Sequence, residues 1–181
     1  YKDIEVKTKE DIYKIVIAST ELTKTKTGGL IVIERDINIS DIIESGVKID
    51  SDVSPQLIVN LFTPNTPLHD GAVIISNNKI AAAACILPLA DDKEIAKEIG
   101  TRHRAGIGIS KESDAIAIIV SEETGKISVA IDGKLIADVK EEALRNILIK
   151  HVINKRFTRE SQKIRRLKIK KENKQNQDEK H

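Results

Sequence analysis

The chain has 181 residues, 40% of them apolar and 32% charged, a mixture that suits one globular domain and excludes a disordered polymer. A single cysteine, Cys85, excludes a disulfide framework and fits a reducing compartment; within the run Ala81–Leu87 it reads as a small buried hydrophobe. The net charge of +2 is uneven: residues 158–181 hold nine Lys/Arg against four Asp/Glu, leaving residues 1–157 with 21 against 24, a net of −3. The body is therefore mildly acidic. The tail from Thr158 is expected to be a flexible, solvated basic end, with nucleic acid or an anionic membrane as its alternative partners. Two Phe, two Tyr and no Trp disfavour a binder of single strands built on stacked bases. No apolar run reaches the roughly 18 residues that span a bilayer, and no signal peptide opens the chain. Because Tyr1 comes first and methionine is absent, further sequence is expected upstream.

In chain order, residues 8–26 are expected to be helical, since Ile12, Ile15, Val16, Ser19 and Leu22 recur at spacings of three and four. Gly28-Gly29 ends this helix and Leu30–Ile33 follows as a short buried strand. Ser54-Pro55 announces a helix, with Ser as N-cap and Pro in the first helical position, and Leu57, Ile58, Leu61 and Phe62 form its buried stripe. The segment 63–71 must be an irregular loop, because Pro64, Pro67 and Gly71 cannot continue a helix. Ala72–Ser76 and Lys79–Leu87 read as strands joined by Asn77-Asn78, and a short helix is expected over Asp91–Ile99. After the segment Gly100–Gly108, Ala115–Ser121 and Lys126–Ile131 read as strands and Asp132-Gly133 as a tight turn. The last helix is expected from Lys140 to Phe157, on the spacing of Leu144, Ile147, Leu148, His151 and Val152. Strands in the middle and helices at both ends give a mixed α/β domain, a central mixed sheet flanked by helices.

Three segments hold candidate chemistry, each with an ordinary alternative. His69 and Asp70, side by side at the mouth of a strand, can share a divalent cation, and Gly71 lets a ligand approach the backbone; equally, Asp-Gly is a common turn. Thr101-Arg102-His103-Arg104, between Gly100 and Gly106, makes a clamp for polyphosphate, because guanidinium groups pair with phosphate through two parallel hydrogen bonds. The alternative is a solvated basic turn. Ser121-Glu122-Glu123-Thr124-Gly125 is a solvated hairpin unless cations approach it, since bare carboxylates repel phosphate.

Together these segments resemble the diadenylate cyclase family. Its two hallmark motifs, Asp-Gly-Ala and Arg-His-Arg, stand here as Asp70-Gly71-Ala72 and Arg102-His103-Arg104. The likeness extends through Asn65–Ile75, Gly100–Ala105 and Val120–Gly125, and covers residues 8–157. The helix before Gly28-Gly29 and the segment Ile33-Glu34-Arg35 are most similar to the membrane-tethered class, in which transmembrane helices precede a cytoplasmic catalytic domain. The DNA-scanning class, which adds a long helical region and a DNA-binding module, fits less well because 24 residues follow Phe157.

The resemblance implies a catalytic domain over residues 1–157 that condenses two ATP into cyclic di-AMP across a face-to-face homodimer, with Mg2+ or Mn2+. Asp70 would hold the metal and help activate the ribose 3′-hydroxyl; His69 and Glu123 would be further metal ligands. Gly71 and Ala72 would line the ribose, and the Leu87 backbone would meet the adenine edge. Thr101, Arg102, His103 and Arg104 would hold the triphosphate, with Ser121, Glu122 and Glu123 serving phosphates and metal. Asp70, Arg102 and Arg104 would be the catalytic residues. The tethered class often has an aromatic residue just before that leucine, where this chain has Ile86, which implies weaker adenine stacking. The same class associates with a membrane regulator and a phosphoglucosamine mutase; no nucleic acid partner is implied. Two rivals remain: a non-catalytic sensor of ATP or cyclic di-AMP, and a nucleic-acid or membrane adaptor working through Lys163–Lys174.

Overall fold

The run Leu30-Ile31-Val32-Ile33 has no polar side to turn toward water, so it needs cover on both faces. In the computed structural model, which describes residues 2–88, 99–154 and 162–171, strand β1 (Gly29–Ile33) is buried along its whole length. Its neighbours run in opposite senses: β3 (Ala72–Ser76) pairs with it in parallel and β5 (Ile116–Val120) antiparallel. The sheet continues from β3 to β4 (Lys79–Cys85) and the edge strand β2 (Val47–Asp52), and from β5 to β6 (Ile127–Ile131) and the edge strand β7 (Lys134–Ile136). The order of the seven strands is β2-β4-β3-β1-β5-β6-β7. The tight turns are those the sequence announces. Asn77-Asn78 and Asp132-Gly133 all have positive φ, as a two-residue hairpin turn requires.

Alternation along the strands divides the core between two faces. Ile31, Ile33, Val73, Ile75, Ile116, Ile118 and Val120 face helices α1 (Lys2–Lys24), α3 (Pro55–Leu61) and α5 (Glu141–Leu148). Leu30, Val32, Ile74, Ala82, Ala117, Ile119 and Ala130 face α4 (Thr101–Glu112). The α4 face is rich in alanine, and Gly106 lets that helix settle onto it: a Cβ there would lie 2.8 Å from Ile119 Cδ1 and 3.2 Å from Ala117 Cβ. A short helix α2 (Ser40–Ser45) leads into β2. Helix α3 starts as expected, with Ser54 Oγ accepting from the Leu57 N–H at 3.2 Å and Pro55 in the first turn.

Several expectations are revised. Gly100–Gly108, to which the sequence assigned no element, opens α4, whose two glycines and basic first turn hide a helix held by packing rather than propensity. The edge strands escaped notice because β2 alternates between exposed and half-buried positions and β7 is three residues long. The last helix gives way after Leu148 to a π-helical turn, Ile149–Asn154, and residues 155–157 lie outside the described residues. The helix expected over 91–99 also lies outside them, except for Ile99. Residues 162–171 form a further helix, α6, exposed along its whole length. No helix among the described residues is long and apolar enough to cross a membrane.

One polar group is poorly served by this packing. Asp11, on the buried side of α1, is 3% exposed; Lys7 Nζ stands 3.7 Å from Oδ1, and neither carboxylate oxygen has a hydrogen-bond partner. Burial raises its pKa above the usual carboxylate range, against the opposing pull of Lys7 and Lys14. A raised folded pKa means that the folded state binds the extra proton, so this group's contribution to stability falls as pH rises through that pKa. Asp11→Asn should therefore stabilise the fold by about 1 kcal/mol at pH 7.5 and by progressively less as the pH drops toward 4. Urea midpoints measured across that range check the sign; a variant destabilised at pH 7.5 would show that the Lys7 pair outweighs burial.

Candidate active site

The opposite senses of β3 and β5 place three loops at one end of the sheet. Gly29 is level with Val120, the last residue of β5, and Ile31 is level with Val73 on β3. Gly28 thus lies between the entry to β3 (Asp70-Gly71) and the exit from β5 (Ser121-Glu122-Glu123). Neighbouring strands lie about 4.8 Å apart, so these two loops stand about 10 Å from each other across β1.

Helix α4 begins at the same end. Its cap residue Gly100 offers no side chain to the first-turn N–H groups, and the first turn carries no acidic residue, so the end of the helix favours an anion. Arg102, in that turn, reaches across to the sheet. Its Nη1 is 3.5 Å from Glu122 Oε2, and the guanidinium lies directly over Gly28, where a Cβ would stand 2.6 Å from Nη1 and 2.7 Å from Cζ. The Arg-His-Arg segment and the Ser-Glu-Glu segment are therefore in contact, with Gly28 as the floor between them. The role of Gly28 was not legible beforehand: the pair Gly28-Gly29 reads as a helix stop, and only the path of Arg102 reveals the contact.

His103 is half-buried, and burial, reinforced by the neighbouring Arg102 charge, lowers its pKa below the usual imidazole value. It is neutral at pH 7, so it can offer hydrogen bonds there but no charge. Arg104 also lies in the first turn of α4 and is half-buried, while Thr101 is exposed.

On the other side of β1, His69 Nδ1 stands 2.6 Å from the Thr66 carbonyl oxygen. A carbonyl can only accept, so Nδ1 carries the hydrogen and Nε2 presents its lone pair. That nitrogen is 3.5 Å from Asp70 Oδ1, and the Asp70 side chain is 87% exposed. Adjacent ligands on a small divalent ion stand about 3 Å apart, so imidazole and carboxylate fit one Mg2+ or Mn2+ between them. Among the described residues no group of three His, Cys, Asp or Glu side chains gathers to hold a metal, so Glu123 does not complete the set within one chain. Ser121 Oγ accepts from the Thr124 N–H at 3.3 Å, which leaves its own hydroxyl hydrogen available; Glu122 and Glu123 are exposed.

Two expected roles take a different physical form. Gly71 has φ +99, and a Cβ there would strike Cys85 O at 2.6 Å and Ala84 C at 2.8 Å, so glycine is required by the close passage of β4. Gly71 is exposed and can meet a ligand through its backbone, whereas Ala72 is wholly buried and supports it from within the sheet. Leu87 is 8% exposed and packs in the α4-side core, whereas Ile86 beside it is 72% exposed.

Comparison with known proteins agrees with this geometry. A profile of the DAC family, described as the nucleotide-binding domain of the DisA bacterial checkpoint controller, matches residues 16–135. Cyclic di-AMP synthase CdaA of Bacillus subtilis is 50% identical over 145 residues, 80% of this chain and 53% of its own length. A diadenylate cyclase of Listeria monocytogenes is 52% identical over 132 residues, 73% of this chain and 48% of its own length. The chain thus spans about half the length of these relatives. The crystal structure of a double mutant of DacA from Staphylococcus aureus superposes with a TM-score of 0.78 at 47% identity, covering 84% of this chain and 99% of that one. With the matching profile, the matching fold and the Asp-Gly-Ala and Arg-His-Arg motifs at one end of the sheet, the chain belongs to the DAC family.

Proposed function

We propose that the chain is the catalytic domain of a diadenylate cyclase, joining two ATP into cyclic di-AMP with release of two pyrophosphates. The observation that carries this reading is the meeting of Arg102, Gly28 and Glu122 at the head of β1, one strand away from Asp70. Phosphate donors and a metal-binding pair would thereby stand on either side of the head of β1, about 10 Å apart.

In the reaction, the 3′-oxygen of one ATP loses its proton and attacks the α-phosphorus of the other in line, while the bond to pyrophosphate breaks. A divalent ion held by His69 and Asp70 would supply a lowered pKa for that hydroxyl and charge neutralisation on the phosphates. Arg102 and Arg104 stabilise the negative charge that builds on the leaving group. Before substrate arrives, the exposed Glu122 carboxylate pairs with Arg102, and the more highly charged triphosphate displaces it. The first-turn N–H groups of α4 and the Thr101 hydroxyl add donors, and neutral His103 adds a hydrogen bond.

Each ATP is a tetra-anion, so bringing two into contact without cations would be prohibitively repulsive. The product has two-fold symmetry and needs two identical bond formations. A symmetric dimer with one ATP on each subunit supplies both from one set of residues, and it lets Glu123 reach the metal from the facing copy. Residues 1–157 form the catalytic unit and 158–181 its tail. On the same reading, membrane-spanning helices precede this domain, and the membrane regulator and phosphoglucosamine mutase of the tethered class are its protein partners.

Incubation with ATP and Mn2+, followed by chromatography, should yield cyclic di-AMP; tight ATP binding without product would make the chain a sensor instead. Asp70→Asn should keep the unfolding midpoint and lower turnover more than about 100-fold. Near-normal turnover in that variant would remove Asp70 from the mechanism. Gly28→Ala, at a position without backbone strain, should displace the Arg102 guanidinium and lower kcat/KM for ATP by about 10- to 100-fold at unchanged stability. Unchanged kinetics would show that Gly28 does not position it. Turnover per subunit should also fall on dilution through dimer dissociation, and a flat profile there would contradict the face-to-face arrangement.

A further inference from the structure

Helix α6, residues 162–171, holds six cations (Lys163, Arg165, Arg166, Lys168, Lys170 and Lys171) and no acidic residue. Four pairs of these stand three or four residues apart, where like charges on a helix repel. At ten residues the helix is also shorter than the roughly 12–15 at which isolated helices become even marginal. Its apolar side chains give it no compensating packing: Ile164, Leu167 and Ile169 are 46%, 53% and 55% exposed. A helix with this composition needs a polyanionic surface that also accepts aliphatic groups.

At 100° per residue, Ile164, Leu167, Lys168 and Lys171 share one side, flanked by Lys163 and Lys170. The aliphatic pair can enter a headgroup layer while the lysine stems extend their ammonium groups to lipid phosphates. Nucleic acid would match the charge but leave the aliphatic side chains in water, and α6 has no aromatic residue to stack on bases. The structure assigns α6 to docking on an anionic lipid bilayer.

The fold sets which end of the domain would face that surface. Lys24, at the end of α1, feels the charge of Glu141 at the start of α5, and Arg145 stands 6.0 Å over the Tyr13 ring. These two helices are thus antiparallel, and the π-helical turn ending at Asn154 heads toward the first turns of α1. The chain from Asn154 to α6 spans at most about 28 Å, and it departs in the direction that leads away from the catalytic end of α1. The catalytic loops follow that end, about 33 Å from the beginning of α1 along a 23-residue helix. Docking through α6 leaves them open to solvent.

The test uses the whole chain in flotation with vesicles of phosphatidylcholine, with and without roughly a third phosphatidylserine. Binding should rise at least tenfold with the anionic lipid and vanish at about 0.5 M salt. Lys168→Gln with Lys171→Gln should lower the partition coefficient about 30-fold. Ile164→Ser with Leu167→Ser should weaken binding while keeping its salt dependence. Cyclase activity in solution should be unchanged in both variants, because α6 contributes none of the residues assigned to the catalytic site. Equal binding to neutral vesicles, no binding to either kind, an unaffected Gln variant, or capture of DNA or RNA in preference to vesicles would each overturn the assignment.

Discussion

The opposite senses in which β3 and β5 flank β1 are the constraint on which the site depends. Were β5 parallel to β1 instead, its entry rather than its exit would stand beside Gly28, and Ser121-Glu122-Glu123 would lie at the far end of the sheet. Here the entry to β3, the entry to β1 and the exit from β5 fall at the same end. That end also receives the start of α4, because Gly106 and the alanines beneath it let the helix lie close to the sheet. Arg102 then needs only the open floor at Gly28 to reach Glu122. Loops separated by as many as ninety residues of chain are thereby brought together by strand direction and by two glycines.

The electrostatics follow from that placement. The site has a basic side, with Arg102, Arg104 and the uncapped start of α4, and on the proposed reading a metal-binding side at His69 and Asp70. On that reading a triphosphate lying across β1 would touch both. The Thr66 carbonyl does for His69 what an orienting group does in many metal sites, since it holds the hydrogen on Nδ1 and leaves Nε2 free to ligate. One chain contributes two ligands of this kind, and the reaction needs two nucleotides. The geometry and the stoichiometry therefore point the same way, toward a symmetric pair of subunits.

Much of this was legible in the sequence because the central strands are unbroken apolar runs and the turns between them use Asn-Asn and Asp-Gly. Ser54-Pro55 marked α3 by its capping chemistry. What escaped was structure governed by tertiary packing. Thr101–Glu112 has a basic first turn and two glycines and still forms a helix, because its buried side, Ala105, Ile107 and Ile109, fills the alanine-lined face of the sheet. The edge strands are short or polar, as edges must be, and so resemble loops. The His69-Asp70 and Arg102-His103-Arg104 motifs stood out in the sequence, but their spatial relation did not: no pattern in one dimension says that Gly28 supports Arg102. Gly71 shows the converse, a glycine that suggested ligand access and is also required by the close passage of β4.

The central claim is that one triphosphate bridges Arg102 and the metal pair. A crystal structure with Mn2+ and 3′-deoxy-ATP, which lacks the attacking hydroxyl, tests it most directly. The account predicts manganese bound at Asp70 and His69, phosphate oxygens on the Arg102 guanidinium, and the Glu122 pairing broken. A nucleotide bound away from the head of β1, or phosphates seated with Arg102 still paired to Glu122 and no manganese at Asp70, would contradict it.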